Sequence, residues 1–381
     1  MNVDPRGYKT PGQLIAAALE AKGWTQRVLA IVLGVDETGI NKLIADKRPV
    51  TAQMAIDLED LLSIQADDLL DLQKRFDLAK ARYANRADPA RSTRAQLFGG
   101  LPVAEMIRRG WLNASDVRDV PAVEAALTEF FGESSLDSIE ILPHAPKKTS
   151  VSSAVTPAQL AWLYRVKQIA QEMIVARYSP STGKAAAAKL SALLSAPEEA
   201  RKVPRILTES GIRFVIVESL TNAKIDGACL WLDDASPVIG MSMRFDRVDN
   251  FWFVLSHELA HVLEGHGKAA VMLDTELEGD RAGTGLEIPE EERVANRAAS
   301  EFCVPQDKLD RFIARKAPFF AERDLIGFAR TAGVHPGLVA GQLQRHVGRY
   351  DLFRKHLVKI RDKVTPGAMV DGWGDVAPVG L

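Results

Sequence analysis

The sequence predicts an α+β protein with an all-α N-terminal part, a helical connector and a C-terminal part in which helices surround a small sheet. Residues 10–85 carry apolar side chains at helical spacing. Residues 211–242 contain the β-branched runs of strands, and residues 249–362 return to helical patterning. A chain of 381 residues is too long for one ordinary core, so we expect two or three domains.

The composition is that of a soluble globular protein, with 46% hydrophobic and 26% charged residues. No apolar run is long enough to span a bilayer, and the first residues lack the basic-then-apolar order of a secretion signal. The only cysteines, Cys229 and Cys303, argue against a disulfide framework. We therefore expect a cytoplasmic protein with no membrane partner. A net charge of −2 gives no global attraction to nucleic acid, so DNA binding would need a local patch.

The first domain is placed at residues 1–85, which capping and breaking residues divide into short helices. Thr25, Asp36 and Thr51 can each cap the start of a helix. Pro49 ends the third helix, because proline removes a backbone donor. Three short helices, with a glycine-containing turn between the second and the third, have the geometry of a helix-turn-helix.

Residues 86–150 are predicted to form a helical connector that ends in a linker, Pro143–Ser150. At the other end of the chain, residues 366–381 are rich in glycine and proline. We expect this tail to be disordered.

The C-terminal domain is placed at residues 151–365 and holds all predicted strands. Two amphipathic helices come first, followed by a strand at Ile212–Val217 and a hairpin at Ala228–Ser242. The segment Val238–Ser242 offers a sheet edge to which an extended substrate could be added. Asp226 and Gly227 are expected to shape the turn that leads into the hairpin.

Chemistry is concentrated at His257, Glu258 and His261. The two histidines are four residues apart on a predicted helix, so both imidazoles project from one face about one turn apart. Two neutral nitrogens can hold one ion at roughly 2.0–2.1 Å each. In this spacing the carboxylate between them is a general base rather than a ligand. The alternative is a buried helix with hydrogen-bonded histidines. The apolar flanks favour a metal site, because ionisable groups in a buried helix need partners.

The third ligand is expected on the helix that ends before Pro305. Glu292 and Asn296 are four residues apart there, so Glu292 can bind the ion while Asn296 hydrogen-bonds a ligating histidine. Glu291 is the alternative ligand. Two histidines, one glutamate and a water leave an open position, which is typical of a catalytic zinc. The same donors also suit manganese and iron.

Residues 205–345 resemble the ImmA/IrrE-type metallopeptidase domain. The resemblance rests on Asp226–Ala228, Pro237–Gly240, Asn250–Phe253 with the histidine motif, the Glu-x-x-Ala-Asn helix closing on Val304-Pro305, and Val334–Val339. It implies a thermolysin-like (zincin) fold, a zinc ion and cleavage of peptide bonds, with helix-turn-helix repressors as targets. Ala298-Ala299 stands where the family often has Phe-Ala, and Cys303 is a second departure. Neither is a proposed ligand. His266, His335 and Tyr350 are candidates to stabilise an oxyanion, with a surface position the default for His266.

Residues 10–80 resemble the Xre-type helix-turn-helix found in HigA-type antitoxins. The matching residues are Pro11-Gly12, Gly23–Gln26, Leu33–Val35, Ile40–Ile44 and Lys47–Thr51. The resemblance makes the third helix the reader of the major groove. Glu37, Thr38 and Asn41 would then face base edges, while Gln26, Lys42, Lys47 and Arg48 would meet phosphates. A homodimer that reads two half-sites is also expected.

The charge of residues 1–85 leaves their use open, since eleven basic side chains stand against twelve acidic ones. DNA readers are commonly more basic, so docking of a protein is the alternative. Two functions follow for the chain. It is either a zinc endopeptidase that cleaves a repressor-like protein, or a non-proteolytic repressor or HigA-type antitoxin. In the second case the peptidase-like domain senses a ligand or binds a toxin.

Overall fold

The computed structural model describes residues 7–84, 99–134, 155–268, 271–275 and 289–379. The chain divides into two compact units, Met1–Arg91 and Ser92–Leu381. The linker predicted at Pro143–Ser150 lies outside the described residues. Within those residues, no helix combines the length and the apolar character that crossing a membrane would require.

The first unit consists of short helices that begin at side-chain caps. They are α1 (Pro11–Lys22), α2 (Gln26–Leu33), α3 (Glu37–Ile44), α4 (Ala52–Leu62) and α5 (Ala66–Ala84). Thr25, Asp36 and Thr51 each accept a hydrogen bond from the backbone N–H three residues later, which confirms the predicted caps. Gly34 ends α2 in the left-handed conformation and makes the turn into α3.

These five helices enclose a small core of their own. Its fully buried side chains include Leu14, Ile15, Leu29, Ile40, Leu43, Leu58 and Leu69. Val32 also carries an apolar side chain, but it is 47% exposed. Helix α2 is apolar around most of its circumference, and only Leu29 and Ala30 on it are buried. Apolar character alone therefore does not identify its inward face.

The second unit contains a sheet within a larger set of helices. Its helices are α6 (Val103–Arg108), α7 (Val120–Phe131), α8 (Pro157–Glu172), α9 (Pro180–Ser191), α10 (Val203–Glu209), α11 (Val248–Glu264), α12 (Glu290–Cys303), α13 (Gln306–Lys316), α14 (Glu322–Ala332), α15 (Pro336–Val347) and α16 (Arg361–Val364). Its strands are β1 (Arg213–Val217), β2 (Ile225–Trp231), β3 (Pro237–Met241), β4 (Met272–Thr275) and β5 (Met369–Asp371). The N-terminal part is all helical, and the part that follows it in sequence mixes helices and strands. This confirms the predicted α+β class.

The strands lie side by side in the order β4-β2-β3-β1-β5. β1 runs parallel to both β3 and β5, whereas β2 is antiparallel to β3 and β4. The hairpin β2–β3 is confirmed. The expectation that Val238–Ser242 forms a sheet edge is wrong, because β3 is hydrogen-bonded on both sides. The edge beside the hairpin is β4 instead.

Two helices cover opposite faces of this sheet. A side chain on Gly240 of β3 would run into Trp162 and Val166, so α8 lies on that face. Successive residues of a strand point to opposite faces, and Ile239 and Met241 pack in the cluster of α11. Helix α11 is thus enclosed between the sheet and the C-terminal helices.

The described part of the C-terminal tail, residues 366–379, is ordered, in contrast to the disorder expected for residues 366–381. Strand β5 pairs with β1, and Asp371 is buried at 1% exposure. Its carboxylate accepts hydrogen bonds from the Arg165 Nε at 2.9 Å and the Trp111 indole at 2.7 Å. The composition of this segment, rich in glycine and proline, predicted disorder. The pairing of three strand residues and one buried ion pair stabilise it nevertheless.

The helices of the expected connector are part of the second unit. Helices α6 and α7 fall where helical segments were predicted between Leu101 and Phe131. Arg109, just after α6, donates to the carbonyls of Glu218 and Ser219 that follow β1. This stretch therefore packs against the sheet.

Candidate metal centre

The candidate site is built on α11, the most deeply buried helix of the second unit. Every residue from Val248 to Val262 is buried. Apolar side chains before and after the histidine pair make all sides of the helix suitable for burial, and Gly265 ends it in the left-handed conformation. His257 and His261, one turn apart, both have no solvent exposure.

The structure brings the three residues predicted as ligands together. His257 Nε2 lies 3.0 Å from His261 Nε2. Glu292, in the first turn of α12, places Oε2 at 3.3 Å from His257 Nε2 and Oε1 at 3.5 Å from His261 Nε2. Glu291, the alternative, is exposed and lies outside this cluster. Of the two glutamates, only Glu292 faces the histidines.

A fourth residue, Asp274 of strand β4, completes the cluster. Its Oδ2 lies 3.3 Å from His257 Nε2 and 4.0 Å from His261 Nε2, and the residue is 4% exposed. Sequence reasoning missed Asp274 because the chain after residue 249 was assigned to helices. The available signal was a short apolar run, Val271–Leu273, followed directly by a carboxylate between the predicted ligands.

These side chains fit a divalent metal ion. Tetrahedral ligand atoms about 2.0–2.1 Å from a zinc ion lie about 3.3–3.4 Å from one another. The distances given above among His257, His261, Asp274 and Glu292 are close to that spacing. Among the described residues, Asp274 Oδ2 has no hydrogen-bond partner. Buried carboxylates need a counter-charge, which a divalent cation would provide.

Glu258 lies beside this cluster and is fully buried. Neither of its carboxylate oxygens has a hydrogen-bond partner among the described residues. Burial, and after it the charge of Asp274, raises the pKa of Glu258 well above its usual value. The carboxylate rests against Gly227, where a side chain would overlap Glu258 Oε1. Gly227 therefore makes room for Glu258 from within strand β2, and the expectation that it shapes a turn is wrong.

The neighbouring charges set the protonation of the metal-free site. Burial lowers the pKa of His257, but Asp274 and Glu292 outweigh it and raise the value to about 9. Burial and the charge of His257 lower the pKa of His261 to about 4. Burial raises the pKa of Asp274, but the charge of His257 brings it down to about 2. At neutral pH a protonated His257 thus faces an ionised Asp274.

Metal binding at pH 7 is expected to release at least one proton, because His257 must become neutral to offer a lone pair. Its pKa of about 9 lies above pH 7, so the proton is present before the ion binds. Affinity should rise about tenfold per pH unit up to that pKa and level off above it. Calorimetric titration in two buffers of different ionisation enthalpy measures the protons released. A value near zero would mean that His257 is already neutral.

His266 is the hydrogen-bonding partner of a candidate ligand. Its Nδ1 lies 3.0 Å from His261 Nδ1, which leaves His261 Nε2 to face the cluster. Its carbonyl accepts from the Trp231 indole at 2.7 Å. The default surface position for His266 is therefore wrong. Asn296 was expected in this role, but the structure shows no hydrogen bond from it to either histidine, and His257 Nδ1 has no partner among the described residues.

Comparison with known proteins agrees with this geometry. The family model described as Peptidase M78, IrrE N-terminal-like domain, matches residues 208–339. Residues 208–339 are therefore similar to the IrrE-like peptidase domain. A second family model, described as helix-turn-helix, matches residues 15–69. The resemblances to an IrrE-like peptidase domain and to an Xre-type helix-turn-helix are confirmed, and the chain joins a DNA-binding type of domain to a peptidase-like one. No curated protein and no solved structure matches the chain.

In the helix-turn-helix domain, all residues predicted to contact DNA are exposed. They are Gln26 on α2, Glu37, Thr38, Asn41 and Lys42 on α3, and Lys47 and Arg48 just after α3. Asp36, whose charge would repel phosphate, accepts a hydrogen bond from the Gly39 N–H at 2.7 Å. It serves as the cap of α3, so its presence does not by itself argue against DNA binding.

Proposed function

We propose that this protein is a zinc-dependent endopeptidase whose helix-turn-helix binds DNA. Its proposed substrate is a regulatory protein of the helix-turn-helix repressor type. The observation that carries the proposal is the convergence of His257, His261 and Glu292 on one point, with Glu258 alongside. Two histidines and a glutamate are the protein ligands of a common class of catalytic zinc site.

Each of these residues has a distinct proposed role. His257, His261 and Glu292 hold the ion, and His266 fixes the orientation of His261. When bound, the ion polarises the scissile carbonyl and lowers the pKa of the attacking water. Glu258 accepts the proton of that water and delivers it to the leaving amine. Its burial keeps bulk water from competing for the proton.

Strand β4 is the proposed place of substrate binding. It is the edge of the sheet nearest the site, and its only strand neighbour among the described residues is β2. An extended peptide can be added to such an edge through backbone hydrogen bonds. It would then pass directly beside Asp274 and the histidines.

The proposed setting follows from the two domains. A DNA-binding homodimer would bring two copies of the peptidase-like domain to one operator.

Cys229 and Cys303 are both buried free thiols, as expected for a cytoplasmic protein.

The metal site is tested by composition. Purified protein should contain about one zinc per chain, as a single site implies. His257→Ala should lose most of it, because one of two imidazole donors is gone. His346→Ala is the matched control, since this histidine is exposed on α15. Elemental analysis after gel filtration gives the ratio. Equal zinc in wild type and His257→Ala would refute the site.

DNA binding is tested by electrophoretic mobility shift with the full chain. Replacing Lys47 and Arg48 with alanine should weaken binding to every duplex and reduce its salt dependence, because phosphate contacts are lost. Asn41→Ala should instead relax specificity at one base position, at a cost of about 1–3 kcal/mol. Replacing Lys74 and Arg75, exposed on α5, is the charge-matched control. If no duplex from the protein's own promoter shifts at low salt, the domain docks protein.

A second candidate function is favoured by Asp274. As a further ligand, this carboxylate would take the position that a catalytic ion keeps for water. A non-proteolytic repressor or HigA-type antitoxin, with the IrrE-like domain sensing a ligand or toxin, accommodates such a site. Incubation of the zinc-loaded chain with its co-encoded regulatory proteins separates the two functions, since only the first yields cleaved products.

A further inference from the structure

We infer that Asp274 is a fourth protein ligand of the metal ion, so that edge strand β4 keeps the site closed until the strand is displaced. The inference rests on the metal site proposed above and concerns its regulation. Catalytic zinc sites have three protein ligands and one water, whereas four protein ligands make a closed site. With Asp274 included, this chain provides four.

Asp274 and Glu292 lie equally close to His257, whereas Glu292 is the nearer of the two to His261, at 3.5 Å against 4.0 Å. Each has a carboxylate oxygen 3.3 Å from His257 Nε2. Asp274 is the more buried of the two, with 4% of its side chain exposed against 18% for Glu292. Both carboxylates face His257 Nε2, as two ligands of one ion would.

Asp274 approaches His257 through Nε2, and this argues against a role in which the carboxylate only positions the ring. A carboxylate that orients a ligating histidine binds the ring nitrogen that faces away from the metal. Asp274 instead faces Nε2 of His257, which also faces His261 and Glu292. His257 Nδ1, where a positioning carboxylate would lie, has no partner among the described residues.

Burial supports the same conclusion. The ion-pair contacts of Asp274 within the described residues are to His257 and His261, with neither lysine nor arginine among them. Its Oδ2 is a buried atom without a hydrogen bond in that part of the chain. In the metal-free site a protonated His257 compensates this carboxylate. When both histidines are neutral, as ligands must be, the buried carboxylate needs another cation, which the ion would supply.

The position of Asp274 in the sheet makes the closure reversible. Strand β4 has four residues and pairs with β2 through a register irregularity at Ile225 and Gly227. A peptide or protein strand that displaces β4 from β2, or draws it outward, removes the fourth ligand. Recognition of an extended partner at this edge would thereby open the ion to water.

The test uses full-length protein loaded with Co²⁺, whose visible spectrum reports coordination, and acetohydroxamate as a probe for an open position. Wild type should bind Co²⁺ with a tetrahedral spectrum that hydroxamate changes little. Asp274→Ala should bind Co²⁺ about tenfold more weakly or worse, by analogy with losses from supporting residues, and its spectrum should change with hydroxamate. Leu273→Ala, on the same strand, should behave like wild type.

The outcomes separate the inference from the proposed function. Equal Co²⁺ affinity and equal hydroxamate response in wild type and Asp274→Ala would overturn the inference and leave the metal site standing. No specific Co²⁺ binding by wild type, or binding unchanged by His257→Ala, would overturn the metal site itself. If Asp274→Ala binds no Co²⁺, Asp274→Asn decides: weakened binding at an unchanged melting temperature supports the ligand role, and wild-type binding refutes it.

Discussion

Replacing Glu258 with glutamine is expected to abolish cleavage of the physiological substrate while leaving metal content unchanged. The amide has nearly the shape of the carboxylate but cannot accept the proton of the attacking water. Losses of this kind are about 100-fold or more. The fold should persist, because no hydrogen bond among the described residues depends on either carboxylate oxygen. Cleavage rate and zinc content are measured on the same preparation.

Glu264→Gln is the matched control for this variant. Glu264 ends the same helix but is exposed, so the identical chemical change there should leave the rate unaltered. If Glu258→Gln cleaves at the wild-type rate, the general base is another group. If both variants lose zinc, the helix itself has been disturbed and the comparison must use Glu258→Ala.

Replacing Asp371 with alanine is expected to lower the free energy of unfolding of the second unit by about 3–5 kcal/mol, the usual cost of breaking a buried ion pair. Arg165, itself 2% exposed, would keep its charge without the carboxylate that it now contacts through Nε and Nη2. The Trp111 indole would lose its acceptor as well. Each group would remain buried and uncompensated.

Chemical denaturation of the full chain measures this effect. Tryptophan fluorescence reports mainly on the second unit, which holds Trp111, Trp162, Trp231, Trp252 and Trp373, while the first holds Trp24. Asp375→Ala is the control, because Asp375 lies in the same segment but is exposed. An Asp371→Ala transition that coincides with that of Asp375→Ala would show that the ion pair contributes little.

Local signals in the sequence predicted much of this molecule. The caps at Thr25, Asp36 and Thr51 depend on residues three positions apart, so the chain itself shows them. The same holds for His257 and His261, whose spacing places both imidazoles on one helix face. Glu292 required a choice between neighbouring glutamates, and the structure places Glu292, not Glu291, beside the histidines. The hydrogen bond from Asn296 to a ligating histidine, which was the reason for that choice, is not observed between these described residues.

Signals that arise from strand pairing were not visible in the sequence. β4 and β5 contain four and three residues, too few to show alternation. Asp274 becomes part of the site only because β4 pairs with β2, and Asp371 becomes buried only because β5 pairs with β1. The central position of β3 has the same origin. A strand's neighbours depend on segments far away in sequence, and local patterning does not record them.

The pairing of β5 with β1 has a consequence for how the chain matures. Asp371 is separated in sequence from Arg165 by 206 residues and from Trp111 by 260. Arg165 and Trp111 are therefore synthesised long before the carboxylate that they contact. Contacts of such separation form slowly during folding. Until β5 has been synthesised, one edge of β1 is unpaired and Arg165 lacks the carboxylate of Asp371. Unpaired strand edges are typical of aggregation-prone folding intermediates. A chaperone that shields β1 during synthesis is therefore expected to raise the yield of folded protein.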